Sequence, residues 1–227
     1  MSSISILSIN VGLPKPMTYR DQSISTGIGK TPVSGSLYLS ETNFDGDRQA
    51  DPVNHGGPDK AVCVYPFEHY DFWERELRRT LPYGAFGENL TVSGLAEDNV
   101  CIGDIFRLGE AVVQVSQPRQ PCFKLAALYD RADLPVLVQD TGFTGFYFRV
   151  LRPGIVQASD GLTRISSHPK SVTVAFANRI KHHDKRNIEA IRAILEVDAL
   201  SANWRASFLK RLEGIEPNDA ERLRGER

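Results

Sequence analysis

The sequence predicts a mainly β protein: a closed or nearly closed β-barrel over residues 1–167, followed by a small three-helix domain over 168–214. Three observations carry this reading. Up to residue 167 the chain is cut into short runs of β-branched and aromatic residues, with turn signals roughly every 8–12 residues. Neither a G-x-G-x-x-G nor a P-loop occurs, and strands do not alternate with helices as a βαβ sheet requires. At His168-Pro169 the apolar period changes to that of a helix.

The elements follow in order. Ile4 to Val11 reads as a strand ended by Gly12, Pro14 and Pro16. Residues 24–39 hold two further strands broken by Gly27, Gly29, Pro32 and Gly35, with Lys30 in a loop of little bulk. Asn43 to Asp59 is irregular and ends at His55-Gly56-Gly57-Pro58-Asp59-Lys60. A strand from Ala61 to Tyr65 follows, with Cys63 in the core. Pro66 to Arg79 is helical, with Phe67, Tyr70, Trp73 and Leu77 on one face and Pro66 in the first turn. After a turn at Gly84–Gly87, Leu90, Val92 and Leu95 mark a short strand. Val100 to Leu108 reads as a strand pair around Gly103-Asp104, placing Cys101 in the core, and residues 111–117 as another strand. Asp133 caps a short helix that reaches Gln139, and residues 141–151 form a turn and a strand. Weaker strands run from Val156 to Ile165. Beyond 168, stripes at Val172-Phe176-Ile180, Ile188-Ile191-Leu195 and Trp204-Phe208-Leu212 give three helices, the second capped by Asp184 and the third by Ser201. Residues 215–227 read as a flexible tail.

Composition excludes several classes. The net charge of −1 offers no global field for nucleic acid or an anionic membrane, and residues 178–227 balance eleven Lys/Arg against nine Asp/Glu. No apolar run reaches the ~20 residues that span a bilayer. The start of the chain lacks the basic flank and apolar core of a signal peptide. Three cysteines, an odd number with no metal-ligand spacing, fit neither a disulfide framework nor a zinc site and point to a reducing, cytoplasmic setting. They are also too few for a Cys-ligated iron–sulfur cluster. Monomer and homodimer both stay open.

The stretch Gln117-Pro118-Arg119-Gln120-Pro121-Cys122-Phe123-Lys124 carries the chemistry. A strand leads into it, a helix-like run leaves it, and two prolines stiffen the elbow. Cys122 therefore falls at a helix start, where unpaired N–H groups, the helix dipole, Arg119 and Lys124 favour a thiolate. Such a thiolate can bond to carbon or to a metal; the alternative is a buried, inert thiol. His55 lies in a loop beside two glycines, which let backbone approach a ligand. Taken alone, Lys30 is a solvated surface lysine; taken with His55 and Cys122, it joins them as a functional residue.

His55-Gly56-Gly57 with Lys60-Ala61-Val62, then Phe86-Gly87-Glu88-Asn89-Leu90, Gly103-Asp104 and Pro118-Arg119-Gln120-Pro121-Cys122-Phe123-Lys124, together resemble the MOSC-domain family. The helical C-terminal part resembles the YiiM-like subgroup. The resemblance implies a β-barrel that binds the molybdenum cofactor, with Cys122 as metal ligand and reduction of N-hydroxylated compounds, including base analogues, to amines. It places His55 and Lys30 with Cys122 in catalysis, and Arg119, Lys60, Gly56, Gly57 and Asn89 around the cofactor. The absence of dinucleotide, flavin and iron–sulfur signatures implies a separate electron-donor reductase as partner. Cys63 and Phe143 stand where an aromatic and a more polar residue are expected. Two other classes fit the same residues: a cofactor or sulfur carrier without turnover, and a metal-free Cys–His hydrolase or transferase.

Overall fold

The computed structural model describes residues 4–216 and 218–225, apart from the side chains of Val53 and Asn54. Twelve strands are present among these residues: β1 (Ser5–Val11), β2 (Lys15–Tyr19), β3 (Gln22–Thr26), β4 (Thr31–Val33), β5 (Leu37–Leu39), β6 (Val62–Pro66), β7 (Leu90–Ser93), β8 (Ile105–Leu108), β9 (Ala111–Pro118), β10 (Phe146–Arg152), β11 (Gly154–Val156) and β12 (Leu162–Ser166). Interleaved with and following them are α1 (Pro52–His55), α2 (Tyr70–Leu77), α3 (Phe123–Tyr129), α4 (Leu134–Thr141), α5 (Val174–His182), α6 (Ile188–Leu195), α7 (Ala202–Leu212) and α8 (Ala220–Arg224).

Eight strands form one sheet in the order β12-β8-β9-β10-β6-β7-β1-β4, all neighbours antiparallel except β6 and β7. That parallel pair is connected over α2, the crossover that parallel neighbours need. Register shifts in β1, β10 and β12 bend the sheet. The 3-10 turn Ala158–Asp160 ahead of β12 packs on β1, so the two ends of the sheet curl towards each other. The result is the expected mainly β barrel in the form of an open, curled half-barrel. The other strands make two ribbons, β11 with β5 and β2 with β3.

Val62, Val64, Phe106, Val113, Val115, Phe146 and Phe148 fill the concave side. Val174, Ile180, Ile191, Ile194, Trp204 and Phe208 from the C-terminal helices continue the same apolar cluster, so these helices pack as part of the barrel core. A second cluster of Tyr65, Tyr70, Trp73, Phe86, Leu125, Leu134 and Val138 lies under α2, α3 and α4. Trp73 Nε1 donates to Tyr65 Oη at 2.6 Å, and Tyr65 stacks on Phe86 at 4.4 Å. Among the described residues, no helix is long and apolar enough to cross a membrane.

Several local expectations are corrected. Pro16 lies inside β2, tolerated because that ribbon is exposed and has no central-sheet neighbour. Pro66 ends β6, and a 3-10 turn separates it from α2. Residues 100–104 form a turn, held by Cys101 N–H donating to Asp104 Oδ2 at 3.1 Å. Cys101 is consequently half-buried rather than in the core. Asp133 spends its carboxylate on Arg131 and does not cap α4 through its side chain. Asn187 caps α6 by accepting from Ala190 N, while Asp184 accepts from Asn187 Nδ2. Ser201 caps α7 as expected. Where a flexible tail is expected, α8 packs back against the Cys122 elbow through Arg222.

Candidate functional site

Strand β9 ends at Pro118, and Arg119 N–H donates to Gly145 O at 3.0 Å, which fixes the exit from the sheet. Two residues after the arginine, Pro121 leads into Cys122, the N-cap residue of α3, in extended backbone with φ −136° and ψ 168°. This is the strand–elbow–helix setting read from the sequence. Burial alone would push the Cys122 thiol up; the His55 hydrogen bond and charge, the Lys124 backbone N–H and Arg119 outweigh it and bring the pKa down to about 7.

His55 closes α1, and its Nε2 lies 3.4 Å from Cys122 Sγ. Its Nδ1 lies 3.3 Å from Asp51 Oδ2 and 3.4 Å from Lys124 Nζ. An ammonium only donates and a carboxylate only accepts, so the two contacts favour different protonation states of the ring. With Nδ1 bare, the ring accepts from Lys124 and donates from Nε2 to sulfur. With both nitrogens protonated, it pairs with Asp51 and the thiolate. In both arrangements Nε2 keeps its hydrogen on the sulfur side, while Nδ1 chooses between Lys124 and Asp51.

Lys30, Lys60, Asn89, Arg119, His55 and Cys122 all line one cleft of about 600 Å³, counting its open mouth. Arg119 is 6% exposed, its Nη2 donates to Phe86 O at 2.6 Å, and its buried Nη1 has no hydrogen-bond partner among the described residues. Burial works against its charge, but Cys63, Tyr147 and Cys122 sustain it. Burial lowers the Lys60 pKa, with Asp51 and Asp59 opposing. Lys30 is ion-paired with the buried Asp47. Asp47 also accepts from Gly12 N and Asn89 Nδ2, both at 2.9 Å. Asn89 in turn accepts from Cys63 N at 3.0 Å, so it braces β6 as well as lining the cleft. Gly56 and Gly57 are not brought to the cleft wall. Gly57, at φ +90°, turns the chain from α1 into the 3-10 turn that carries Lys60.

Four features of the cleft went unread in the sequence. Asp47 was one acid in a run of Asp and Gly, and its lysine lies 17 positions away. Tyr147 and Cys63 face the cleft from strands that read as barrel wall. Arg48, also on the lining, follows Asp47 in the same irregular run. Together the lining holds five Lys/Arg (Lys30, Arg48, Lys60, Arg119, Lys124) and, among the described residues, no carboxylate. Carboxylates stand behind that lining, Asp47 paired with Lys30 and Asp51 and Asp59 acting on Lys60, while the cleft surface itself is basic.

The donor set fits a metal that arrives with its own anionic ligand. Among the described residues no three His, Cys, Asp or Glu side chains gather to hold a metal by themselves. Cys122 offers one thiolate, suited to a soft metal, and the surrounding cations together with the unpartnered Arg119 Nη1 suit an anionic dithiolene pterin and its phosphate.

Residues 51–163 match the MOSC domain, and residues 172–214 match the YiiM-like, 3-alpha helix domain. The uncharacterized protein YflK of Bacillus subtilis (strain 168) is 56% identical over 94% of this chain and 96% of its own length. Protein YiiM of Escherichia coli (strain K12) is 43% identical over 82% of this chain and 84% of its own. The crystal structure of YiiM from Geobacillus stearothermophilus is 42% identical, with a TM-score of 0.78 over 92% of this chain and 99% of that one. A Gibberella moniliformis (strain M3125 / FGSC 7600) protein named Reductase is 36% identical over 65% of this chain and 27% of its own length.

Proposed function

From a chain that belongs to the MOSC-domain family, in its YiiM-like branch, we propose a molybdenum-cofactor-dependent reductase that converts N-hydroxylated compounds, such as N-hydroxylated base analogues, to amines. The observation that carries this reading is the meeting of a low-pKa thiol with five Lys/Arg side chains on the wall of one cleft. The Gibberella relative named Reductase points the same way.

The overall reaction is R–NH–OH plus two electrons and two protons, giving R–NH₂ and water. The bound cofactor supplies the two-electron chemistry. Cys122 Sγ would hold its metal. Arg119, Lys30, Lys60 and Lys124 would bind and orient its anionic parts, with the half-buried Tyr147 on the same wall. His55 Nε2, 3.4 Å from Cys122 Sγ, would be the group on this chain within reach to hand a proton to the leaving hydroxyl oxygen. Lys124 Nζ, 3.4 Å from Nδ1, is placed to support the ring through that transfer. The helix–elbow frame keeps Cys122 and His55 on one side of the cleft while substrate enters by the open mouth.

The 3.4 Å His55–Cys122 contact taken alone favours a second reading, a metal-free Cys–His hydrolase or transferase. The five cations argue for an anionic cofactor instead. In the test, molybdenum-loaded protein is given an N-hydroxylated purine and a reduced viologen, and the amine is measured. Amine formation that tracks molybdenum content is expected; none from fully loaded protein would sink the reductase and leave the non-catalytic carrier.

A further inference from the structure

The elbow that presents Cys122 is held from outside by the last helix. Arg222 of α8 donates from Nη1 to Pro121 O at 2.6 Å and from Nη2 to Gln139 Oε1 at 2.7 Å, while its Nε reaches Asp219 Oδ1 at 3.3 Å. Around the same turn, the Phe123 ring is gripped on two sides. Tyr19 packs on it at 5.3 Å between centroids and donates its hydroxyl to Arg224 O at 3.2 Å. A Cβ on Gly225 would come within 3.2 Å of the ring, so the backbone there is in close contact with it.

The position of the bond matters more than its strength. The Pro121 carbonyl belongs to the peptide that leads into Cys122, so its orientation sets the direction of the Cys122 Cα–Cβ bond. The preceding Gln120–Pro121 peptide has no N–H, so the elbow has no backbone donor just upstream to hold it. Cys122 itself makes no side-chain cap, and its carbonyl is fixed further on by Leu125 N–H at 3.0 Å. Arg222 supplies the missing constraint through a charge-assisted bond, and its second bond ties the guanidinium plane to α4. Its side chain is 19% exposed and lines no part of the cleft.

We propose that Arg222 is a positioning residue: α8 serves as a strap that aims the Cys122 thiol at the cleft through the Pro121 carbonyl. The proposal rests on Cys122 being the reacting sulfur, but not on which group that sulfur binds.

The experiment uses the full-length, metal-free protein and reads alkylation of Cys122 by iodoacetamide at pH 9, resolved from Cys63 and Cys101 by peptide mass spectrometry. At that pH a thiol with a pKa near 7 is already ionised, so the rate reports access and aim. Amide exchange of residues 122–125 is read in parallel. Arg222→Ala is expected to speed both by about tenfold, the scale of losing one charge-assisted hydrogen bond. Arg222→Lys, which keeps the charge but loses the planar fork that spans Pro121 O and Gln139 Oε1, falls between. Arg224→Ala keeps the main-chain carbonyl that Tyr19 uses and stays at the native rate. Native rates in Arg222→Ala overturn the proposal. An equal rise in Arg224→Ala does so too, by assigning the effect to general loosening of α8. No readout needs metal, so a failure of the reductase reading would leave this result interpretable.

Discussion

His55 Nε2 stands 3.4 Å from Cys122 Sγ, a contact that joins the end of α1 to the start of α3 across 67 positions of sequence. It turns a cysteine that burial would keep protonated into one with a pKa of about 7. In the metal-free protein the alkylation rate of Cys122 should rise with pH through a midpoint near 7 and then level off. Below the midpoint the unreactive thiol accumulates; above it the thiolate is complete. His55→Ala removes the hydrogen bond and the charge, so the midpoint should move up. An unchanged midpoint in that variant would mean the imidazole does not set the thiol.

Asp47 and Lys30 form a second pair, with side chains 0% and 6% exposed. Asp47→Ala leaves a buried ammonium without its counter-charge, which typically costs about 3–5 kcal/mol. Urea unfolding should show a loss of that order. Adding Lys30→Met should recover part of it, but not all, because Gly12 N–H and Asn89 Nδ2 still lack their acceptor. A loss below about 1 kcal/mol in the single variant would show that the pair is solvated, as exposed pairs are.

Lys181 gives a pH signature far from the cleft. Burial, reinforced by Arg211, lowers its pKa from 10.5 to about 7, although Trp204 and Phe208 offer their ring faces at 4.6 and 5.3 Å. Between these two values the unfolded chain holds a proton that the folded chain lacks. Stability therefore rises with pH across about 7 to 10.5, with the penalty fully present below 7. Lys181→Met should flatten that slope in denaturation at a series of pH values. An equal slope in the variant would assign it to other groups.

Turnover should need a separate reductase. A two-electron reduction must be reloaded, and the sequence has no dinucleotide fingerprint. Molybdenum-loaded protein with an N-hydroxylated purine and NADH or NADPH alone should form no amine beyond one equivalent. Steady amine formation with the nicotinamide would mean this chain holds a cofactor site of its own.

What was legible in the sequence was local or periodic. Alternation marks β9, apolar runs mark β1, β6 and β10, and the prolines around Cys122 mark the elbow. Strand β2 is not legible because its ribbon buries little and it carries Pro16, which reads as a terminator. Helix α8 was missed because polar bonds from Arg222, rather than an apolar stripe, hold it in place. Asp47 was missed because its value lies in partners at positions 12, 30 and 89. Glycine beside histidine suggests ligand approach at Gly56 and Gly57; in the structure Gly57, at φ +90°, turns the chain towards Lys60.

The most direct test of the account is the metal content of cysteine variants made in a molybdenum-competent host. Molybdenum per chain is measured by mass spectrometry after gel filtration, with circular dichroism as the check on folding. The native protein, Cys63→Ser and Cys101→Ser should carry molybdenum, and Cys122→Ser should carry almost none while keeping its fold. Full molybdenum occupancy in folded Cys122→Ser would contradict the assignment of Cys122 as metal ligand.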